Sequence, residues 1–238
     1  MNGRKMRLGA CMLAMLLAVG MLVTFPGCFG GEPGVEELWE NSQKAEENIN
    51  SLHMEIAIYY ENTKFGGGQI QTTSINVSGD NVQASSALFG QSFSELIVVN
   101  GTQYTRTMGS EEWTEQAATV DRQTVTEQVA GFADLPNIAS SSENLGVETL
   151  DGQEVYHLVF TLTPDEVKSL FKNVQPSQLA ANAGGQVDVW VQKDTDYRVK
   201  YEALVKNASI TDQIGYGDIR VVTTITGINE PIAIAPPV

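Results

Sequence analysis

Cysteine is almost absent from this sequence of 238 residues. The only two cysteines, Cys11 and Cys28, lie near the amino-terminal end, so the 238 − 28 = 210 residues after Cys28 contain none. That part of the chain can form no internal disulfide, and it offers no thiol nucleophile and no thiolate ligand for a metal. The stability of its fold must therefore come from a hydrophobic core, for which the length is sufficient.

Histidine, the most frequent general base, is also scarce and occurs only as His53 and His157. Neither belongs to a Gly-x-Ser-x-Gly or His-Glu-x-x-His motif, so we expect both to be structural. A hydrolase that uses one of them is the weakest of our three hypotheses. Asp194-Thr195-Asp196 lacks the further oxygen ligands and the glycine of an EF-hand, so it indicates a turn. We expect no enzyme activity, no cofactor and no metal.

Basic residues are few: 14 Lys and Arg stand against 29 Asp and Glu, which gives a net charge of −15. Three of the basic residues lie before Cys28, so the remainder carries 11 − 29 = −18. Such a surface repels nucleic acid and anionic lipid headgroups. We therefore expect no nucleic-acid partner.

The first 28 residues resemble a bacterial lipoprotein signal. A basic start precedes an apolar run at 8–25, and Gly27-Cys28 matches the lipobox, in which the cysteine receives a diacylglyceryl group. We therefore predict a signal peptide at 1–27 and lipidation at Cys28. The basic residues are Arg4, Lys5 and Arg7.

The apolar run at 8–25 also reaches the ~18 residues that can span a bilayer, so an uncleaved transmembrane anchor is the alternative. Both interpretations place the remainder on the extracytoplasmic face of the cell membrane, because Lys and Arg are retained on the cytoplasmic side. After the signal, the glycines and proline of 28–34 predict a flexible tether. We assign 35–238 to a single domain.

The rest of the sequence predicts one amphipathic helix followed by many short strands. Val35 to Leu52 has helical spacing, and from His53 the apolar period changes to two. Gly66 to Gly68 is assigned to the first turn, and Trp190 to the outer face because its neighbours in parity are polar. Further helices are predicted at 120–132, after Thr163-Pro164, and at 176–183. The other strand-like runs are 69–79, 82–89, 93–99, 103–108, 113–116, 145–150, 153–163, 186–193, 197–207 and 218–226.

This pattern predicts an α+β fold: a strongly curved antiparallel sheet, a half-barrel of about ten strands, with helices covering its concave face. No crossover helices separate the strands, which excludes a parallel sheet. The space between the helices and the curved sheet is either packed core or a cavity. That choice separates our two leading hypotheses.

Several fragments in this order carry a family resemblance. They are Cys28, 53–61, 101–104 followed by Trp113, 146–156, 187–191 and a closing 227–236 that looks like the final strand of the family. The chain resembles the LolA-like fold, and more closely the mycobacterial LppX/LprG type of lipid-carrying lipoprotein. The resemblance implies a half-open curved sheet whose helices enclose a hydrophobic cavity for the acyl chains of a lipid or lipoglycan.

Strand parity and helix faces give candidate ligand-binding residues, each of which is also able simply to pack into a core. Our first hypothesis is a non-catalytic lipoprotein, anchored in the membrane through its lipid, that holds a lipid or acylated ligand for transfer or presentation in the cell envelope. The alternative is an envelope sensor or interaction module with the same fold, a filled core and a protein partner. The candidates are Ile56, Ile58, Leu96, Val98, Leu158, Phe160, Val189 and Val191 from the sheet, and Val129, Phe132, Leu170 and Phe171 from the helices.

Overall fold

Eleven antiparallel strands form one open sheet in the order β6-β5-β4-β3-β2-β1-β11-β10-β9-β8-β7. The computed structural model describes residues 32–124, 132, 134–170, 183–211, 213 and 215–237. The strands are β1 Ser51–Thr63, β2 Gly66–Ser78, β3 Asn81–Leu88, β4 Gln91–Val99, β5 Thr102–Thr107, β6 Thr114–Ala117, β7 Ser141–Leu150, β8 Gln153–Leu162, β9 Gly185–Gln192, β10 Arg198–Thr211 and β11 Gly215–Thr226. The predicted antiparallel half-barrel is confirmed, with eleven strands where about ten were expected.

The sheet consists of two meanders that meet in its middle. Strands β1 to β6 pair in sequence order on one side, and β7 to β11 do so on the other. The first strand pairs with the last, so that Met54 lies opposite Ile225 and Ile58 opposite Val221. Strands β6 and β7 are the two edges, which leaves the sheet unclosed.

Helices cover one face of the sheet, which we call the concave face. They are α1 Val35–Glu46, α2 Leu135–Ile138 and α3 Pro164–Leu170. Leu38, Leu135 and Val167 bring one side chain from each helix into the main core, where they are buried. The Trp39 ring of α1 packs edge-to-face on Phe160 of β8, with centroids 5.3 Å apart. The core therefore lies between these helices and β8 to β10, and it continues onto β1 to β4 and β11 through residues such as Met54, Val77 and Ile225.

The other face of the sheet carries a smaller cluster. Val155, Trp190 and Val199 are buried there, on the parity opposite to Leu158 and Val189. The prediction that Trp190 lies on the outer face is confirmed. Its indole is covered by the His157 ring, which stacks on it at 4.6 Å.

The start of α3 agrees with the prediction from Thr163-Pro164. The N–H of Glu166 donates to Thr163 Oγ1 at 3.4 Å, and the N–H of Thr163 donates to Glu166 Oε2 at 2.7 Å. These reciprocal bonds form a capping box, which satisfies backbone donors that a helix start leaves free. They also lower the pKa of Glu166, chiefly through the bond from the Thr163 N–H.

The first hairpin turn differs from the prediction. The turn is Lys64-Phe65, and Gly66 to Gly68 are the first residues of β2. The reason is the close approach of Tyr60: a Cβ on Gly68 would lie 3.0 Å from the Tyr60 Oη, and one on Gly67 would lie 2.9 Å from the Tyr60 carbonyl oxygen. Gly67 and Gly68 therefore serve strand contact, whereas Gly66 follows the turn directly with a positive φ of 95°.

The connection after α1 also differs from the prediction, because the helix ends at Glu46 and not at Leu52. The carboxyl-terminal tail holds the following residues in extended form. The N–H of Asn50 donates to Asn229 Oδ1 at 2.7 Å, and the N–H of Asn229 donates to the Ser51 carbonyl at 2.8 Å. The prediction of a final strand at 227–236 is wrong, since this segment forms a turn followed by irregular chain.

Two further segments correct or limit the predictions. Strand β7 begins at Ser141, four residues before the run predicted at 145–150, and α2 covers 135–138, which lie outside every predicted helix. Residues 122–124 are helical, while the rest of the helix predicted at 120–132 falls largely outside the described residues, as does 176–183. The signal segment 1–27 and Cys28 lie outside them too. In the described part of the chain, no helix has the length and hydrophobicity needed to cross a bilayer.

Candidate functional site

The concave face divides into two regions that differ in how completely the helices cover them. Over β8, β9 and β10 the apolar side chains have almost no accessible surface: Phe160, Val187 and Val189 are at 0% and Ala203 is at 2%. The rings and aliphatic groups of α1 and α3 contact this region directly. It is ordinary packed core.

Near the end of β1, the start of β11 and the middle of β4, apolar side chains of the concave face remain partly exposed, although Met54, Val98 and Ile225 of the same strands are buried. Ile58 faces Val221 across the β1–β11 pairing, and Ile56 lies one pair further along the same face. Leu96 of β4 belongs to the same face through Ala84 of β3. We call the set Ile56, Ile58, Leu96, Ile219 and Val221 the open patch. All five are only partly buried.

Polar groups border the open patch on β2 and β3. Gln71 lies opposite Ile58, and its Nε2 donates to Thr73 Oγ1 at 3.0 Å. Thr73 Oγ1 is in turn 3.0 Å from Ser86 Oγ on the neighbouring strand. An apolar surface bordered by hydroxyl and amide groups suits an amphipathic molecule, because hydroxyl and amide groups bond an ester or hydroxyl while the apolar part takes hydrocarbon.

The predicted ligand-binding residues fall on both sides of this division. Leu158, Phe160, Val189 and Val191 have no accessible surface, and Val98 has 3%. The other described candidates pack against the core with part of their surface exposed, apart from Ile58, which is partly buried outside that cluster. These are Ile56, Leu96, Phe132 and Leu170. Val129 and Phe171 lie outside the described residues.

Sequence reasoning missed Ile219 and Val221. Both sit on β11 at alternate positions, and that alternation was visible in the sequence. What the sequence did not reveal was that β11 pairs with β1, which puts Val221 beside Ile58. The missing information was the strand order.

Two buried polar residues lie at the boundary between core and site. Tyr201 of β10 shares the concave face with Thr223 and Val189, and its ring stacks on Phe132 at 5.5 Å. Within the described part of the chain its hydroxyl has no hydrogen-bond partner, and burial raises the pKa of Tyr201 strongly. Burial therefore keeps the hydroxyl neutral.

The outer face holds a groove of about 670 Å³ that the sequence did not predict. It lies between the β7–β8 turn, the β9–β10 turn and the tail, and Lys200, Tyr197 and Ile228 are among its lining residues. Its lining mixes apolar, hydroxyl, amide and charged side chains. It is separate from the open patch, because Lys200 and Val222 belong to the opposite parity of the sheet.

The two histidines make structural contacts. His157 Nε2 is 2.8 Å from Asp188 Oδ1, and its Nδ1 is 3.6 Å from Glu148 Oε2. His53 Nδ1 is 2.7 Å from Asn76 Oδ1. The segment 194–196 lies between β9 and β10 as the predicted turn, and among the described residues no group of three metal-ligating side chains occurs.

Comparison with solved structures supports the fold. The lipoprotein LppX of Mycobacterium tuberculosis aligns with 85% of this chain and 100% of its own, at a TM-score of 0.52 and 15% identity. LprF of Mycobacterium bovis aligns over 87% and 99%, at 0.49 and 16%. A LolA superfamily protein of Nitrosomonas europaea aligns over 80% and 90%, at 0.28 and 9%. Comparison with curated proteins gave no match.

Comparison with protein families is more specific. The model described as the LppX_LprAFG lipoprotein matches residues 35–232, which spans α1, all eleven strands and the first half of the tail. The match includes both the core and the open patch. This chain therefore belongs to the LppX_LprAFG lipoprotein family.

Proposed function

We propose that this protein is a non-catalytic lipoprotein of the cell envelope that holds the acyl chains of a lipid against the open patch, shielding them during transfer or presentation. The observation that carries the proposal is the contrast on one face of one sheet. Val187 and Val189 are sealed under helices, whereas Ile58 and Val221 retain accessible surface. An acyl chain bound beside Ile58 and Val221 would bury the apolar surface that these side chains leave exposed.

The energetics suit a ligand with long acyl chains and little polar recognition. Each methylene removed from water contributes about 0.8 kcal/mol, so ten methylenes gain roughly 8 kcal/mol before the entropic cost of association is subtracted. The Gln71, Thr73 and Ser86 side chains supply polar contacts at the border. Selectivity among acyl chains is expected to be loose.

Among the candidates from the sequence, Ile56, Ile58 and Leu96 contact the acyl chains directly. Phe132 and Leu170 lie beside them. Leu158, Phe160, Val189, Val191 and Val98 serve as the floor of the site. We further propose that Cys28 carries the lipid anchor and that the body lies on the extracytoplasmic face of the cell membrane. Val129 and Phe171 remain predictions.

A photocrosslinking experiment tests this proposal with a matched pair of variants. The full chain is produced in cells supplied with a photoactivatable fatty acid, irradiated, purified and mapped by peptide mass spectrometry. Crosslinks are expected on the peptides of β1 and β11. Val221→Gln places an amide in the open patch and should lower crosslinking about fivefold. Val222→Gln makes the same change one residue away on the outer face and should leave crosslinking unchanged.

Crosslinks distributed without preference for β1 and β11, or equal losses in the two variants, would refute the assignment of the site. A chain that carries no lipid at all would favour the alternative function, an envelope sensor with a protein partner. Equal thermal midpoints of the two variants serve as the control for folding.

A further inference from the structure

Large apolar side chains are exposed to solvent where the strands end on one side of the sheet. This edge is a row of strand ends and turns, unlike the edges formed by the strands β6 and β7. Antiparallel strands that alternate in direction bring the end of β1, the start of β4, the end of β5 and the start of β11 to the same edge. The exposed fractions of these side chains lie between 46% and 70%. We call this set the apolar rim. Its members are Phe65, Phe89, Phe93, Met108 and Tyr216.

The rim residues lie at the ends of strands and in turns, where polar residues are usual. Phe65 lies in the β1–β2 turn and Phe89 in the β3–β4 turn. Met108 follows β5 directly, and its N–H donates to the Phe93 carbonyl at 2.7 Å. From β5 to β11 there are five strand spacings, so the rim extends for about 24 Å.

The opposite edge of the same sheet has the opposite character. Its hairpin turns are Gly79-Asp80, Asn100-Gly101 and Asp151-Gly152, together with the turn at 193–196. These residues are standard turn formers that solvent hydrates well. The two edges therefore present different surfaces, one polar and one apolar.

Phe89 gives a second, independent observation. Its φ is 48°, and Gly90 after it has a φ of 77°. Asn100 and Asp151 hold comparable left-handed positions in the turns of the other edge, with φ of 51° and 50°. Asn and Asp tolerate this conformation, whereas a bulky aromatic residue there is an outlier. Phe89 is thus unfavourable for folding in both its conformation and its exposure, which points to a role in contact with something else.

The apolar rim continues into the open patch. Leu88, the residue before Phe89, lies opposite Gln71, and Gln71 lies opposite Ile58. Ile58 in turn lies opposite Val221, and Ile219 is two residues nearer to Tyr216. A hydrocarbon chain that enters beside Leu88 therefore passes the Gln71 side chain, one of the polar groups that border the open patch, before it reaches Ile58.

We propose that the apolar rim inserts into the boundary between headgroups and hydrocarbon of a lipid bilayer, so that acyl chains pass directly between the bilayer and the open patch. The route for acyl chains rests on the proposed function, whereas the contact itself does not. Phenylalanine and methionine side chains are apolar and match the hydrocarbon of a bilayer.

The negative net charge of the chain indicates which lipid composition the apolar rim binds. The chain has a net charge of −15, so general electrostatic attraction to anionic lipid is excluded as the driving force. Insertion of apolar side chains requires no charge on the bilayer. The contact should therefore form on vesicles of pure phosphatidylcholine and be insensitive to salt.

A labelling experiment tests the contact. The full chain with Cys11→Ser is purified in the form whose Cys28 is acylated and is anchored in phosphatidylcholine vesicles. It is labelled with an environment-sensitive fluorophore at Phe65→Cys or Met108→Cys. Asp80→Cys and Asp151→Cys place the same label on the polar edge as matched controls. Rim labels should emit at shorter wavelength and be quenched by brominated lipid roughly threefold more than the controls, as expected for side chains ~5–10 Å deep. Equal emission and quenching at both edges would overturn the proposal.

A transfer experiment tests the consequence. In the triple variant Phe65→Ser, Phe89→Asn and Tyr216→Ser, uptake of a fluorescent fatty acid from vesicles should fall about tenfold, while uptake from a water-soluble albumin complex should stay unchanged. The control variant Leu145→Ser with Val147→Ser removes exposed apolar side chains from β7, away from the rim, and should transfer normally.

The outcomes separate the two proposals. Rim labels that enter the bilayer in a chain that takes up no fatty acid support the contact and refute the proposed function. Uptake of fatty acid from albumin without insertion of the rim labels supports the proposed function and refutes the bilayer contact. A concentration-dependent dimer in sedimentation that the triple variant abolishes would assign the rim to a second copy of the chain and overturn the bilayer contact.

Discussion

The guanidinium of Arg198, at the start of β10, is held by the carboxylate of Glu46, at the end of α1, although 152 residues separate them in the sequence. The Arg198 Nε donates to Glu46 Oε1 at 2.6 Å, and Nη2 donates to Oε2. The guanidinium also lies over the Trp39 ring, 4.5 Å from its centroid. This contact fixes the end of α1 on the sheet, and only 6% of the Arg198 side chain is accessible.

Removal of the carboxylate should therefore destabilise the fold. Glu46→Ala leaves the Arg198 charge buried without its partner, and we expect the free energy of unfolding to fall by about 2–3 kcal/mol, less than for a fully buried pair because Glu46 is 26% exposed. Glu40→Ala is the control, since it breaks an exposed pair with Lys44 and should cost about 0–0.5 kcal/mol. Urea denaturation of both variants measures the difference, and equal losses would contradict this role.

The Tyr201 hydroxyl should be dispensable for stability. It is buried, and the described residues offer it no partner. Tyr201→Phe is expected to leave the free energy of unfolding unchanged or to raise it by up to about 1 kcal/mol, because an unsatisfied polar group is removed. A loss of more than about 1 kcal/mol in the same denaturation assay would mean that the hydroxyl is paired in solution.

Gly217 allows β1 and β11 to approach closely. A Cβ at this position would lie 2.6 Å from Thr63 Cγ2 and 2.7 Å from the Glu61 carbonyl oxygen. Because the backbone oxygen cannot move aside, Gly217→Ala should destabilise by about 1–3 kcal/mol. Gly184→Ala, whose Cβ would meet Leu162 at an ordinary 3.7 Å, is the matched control for thermal unfolding. Similar midpoints for the two variants would refute the steric argument.

The capping carboxylate of Glu166 predicts a pH dependence. The N–H of Thr163, and that of Ser140 at 3.2 Å, donate to it, and the pKa of Glu166 is lowered from its ordinary value of 4.5. A lowered pKa in the folded state stabilises the fold above pH 4.5, and that stabilisation is lost as the pH falls through the folded-state value. Glu166→Gln should therefore lower the thermal midpoint at pH 7, and the difference from the parent chain should shrink below pH 4.

The test of this sign is a pair of melting curves at each pH. Glu143→Gln, on the exposed side of β7, is the control and should show no such convergence. A Glu166→Gln difference that grows in acid would contradict the capping role.

Local features were predictable from the sequence wherever neighbouring residues determine the structure. The alternation around Leu158 and Phe160 placed β8 correctly, and Thr163-Pro164 placed the start of α3. Contacts between distant segments decided the rest. Asn229 binds the chain at Asn50, inside the helix predicted to reach Leu52, and Tyr60 lies close against Gly67 and Gly68 at the start of β2. Neither contact has a local signal.

The same limit applies to the candidate site. Parity put Ile58 and Phe160 on the concave face together, but it does not say which strands the helices cover. Phe160 is fully buried and contacts the Trp39 ring of α1, whereas Ile58 remains partly exposed near the end of β1. Phe89 was assigned to the end of a strand, and its exposure depends on a turn conformation that the residue itself disfavours.

The pairing of β1 with β11 has a consequence for biogenesis. Every other strand pair joins neighbours in the chain and is able to form as soon as both emerge, whereas β1 waits for the penultimate stretch of the polypeptide. Until β11 is available, one side of β1 has no partner strand, and an unpaired strand is prone to aggregation. A chain truncated before Gly215 lacks the partner strand of β1 and should therefore be degraded by proteases faster than the full chain.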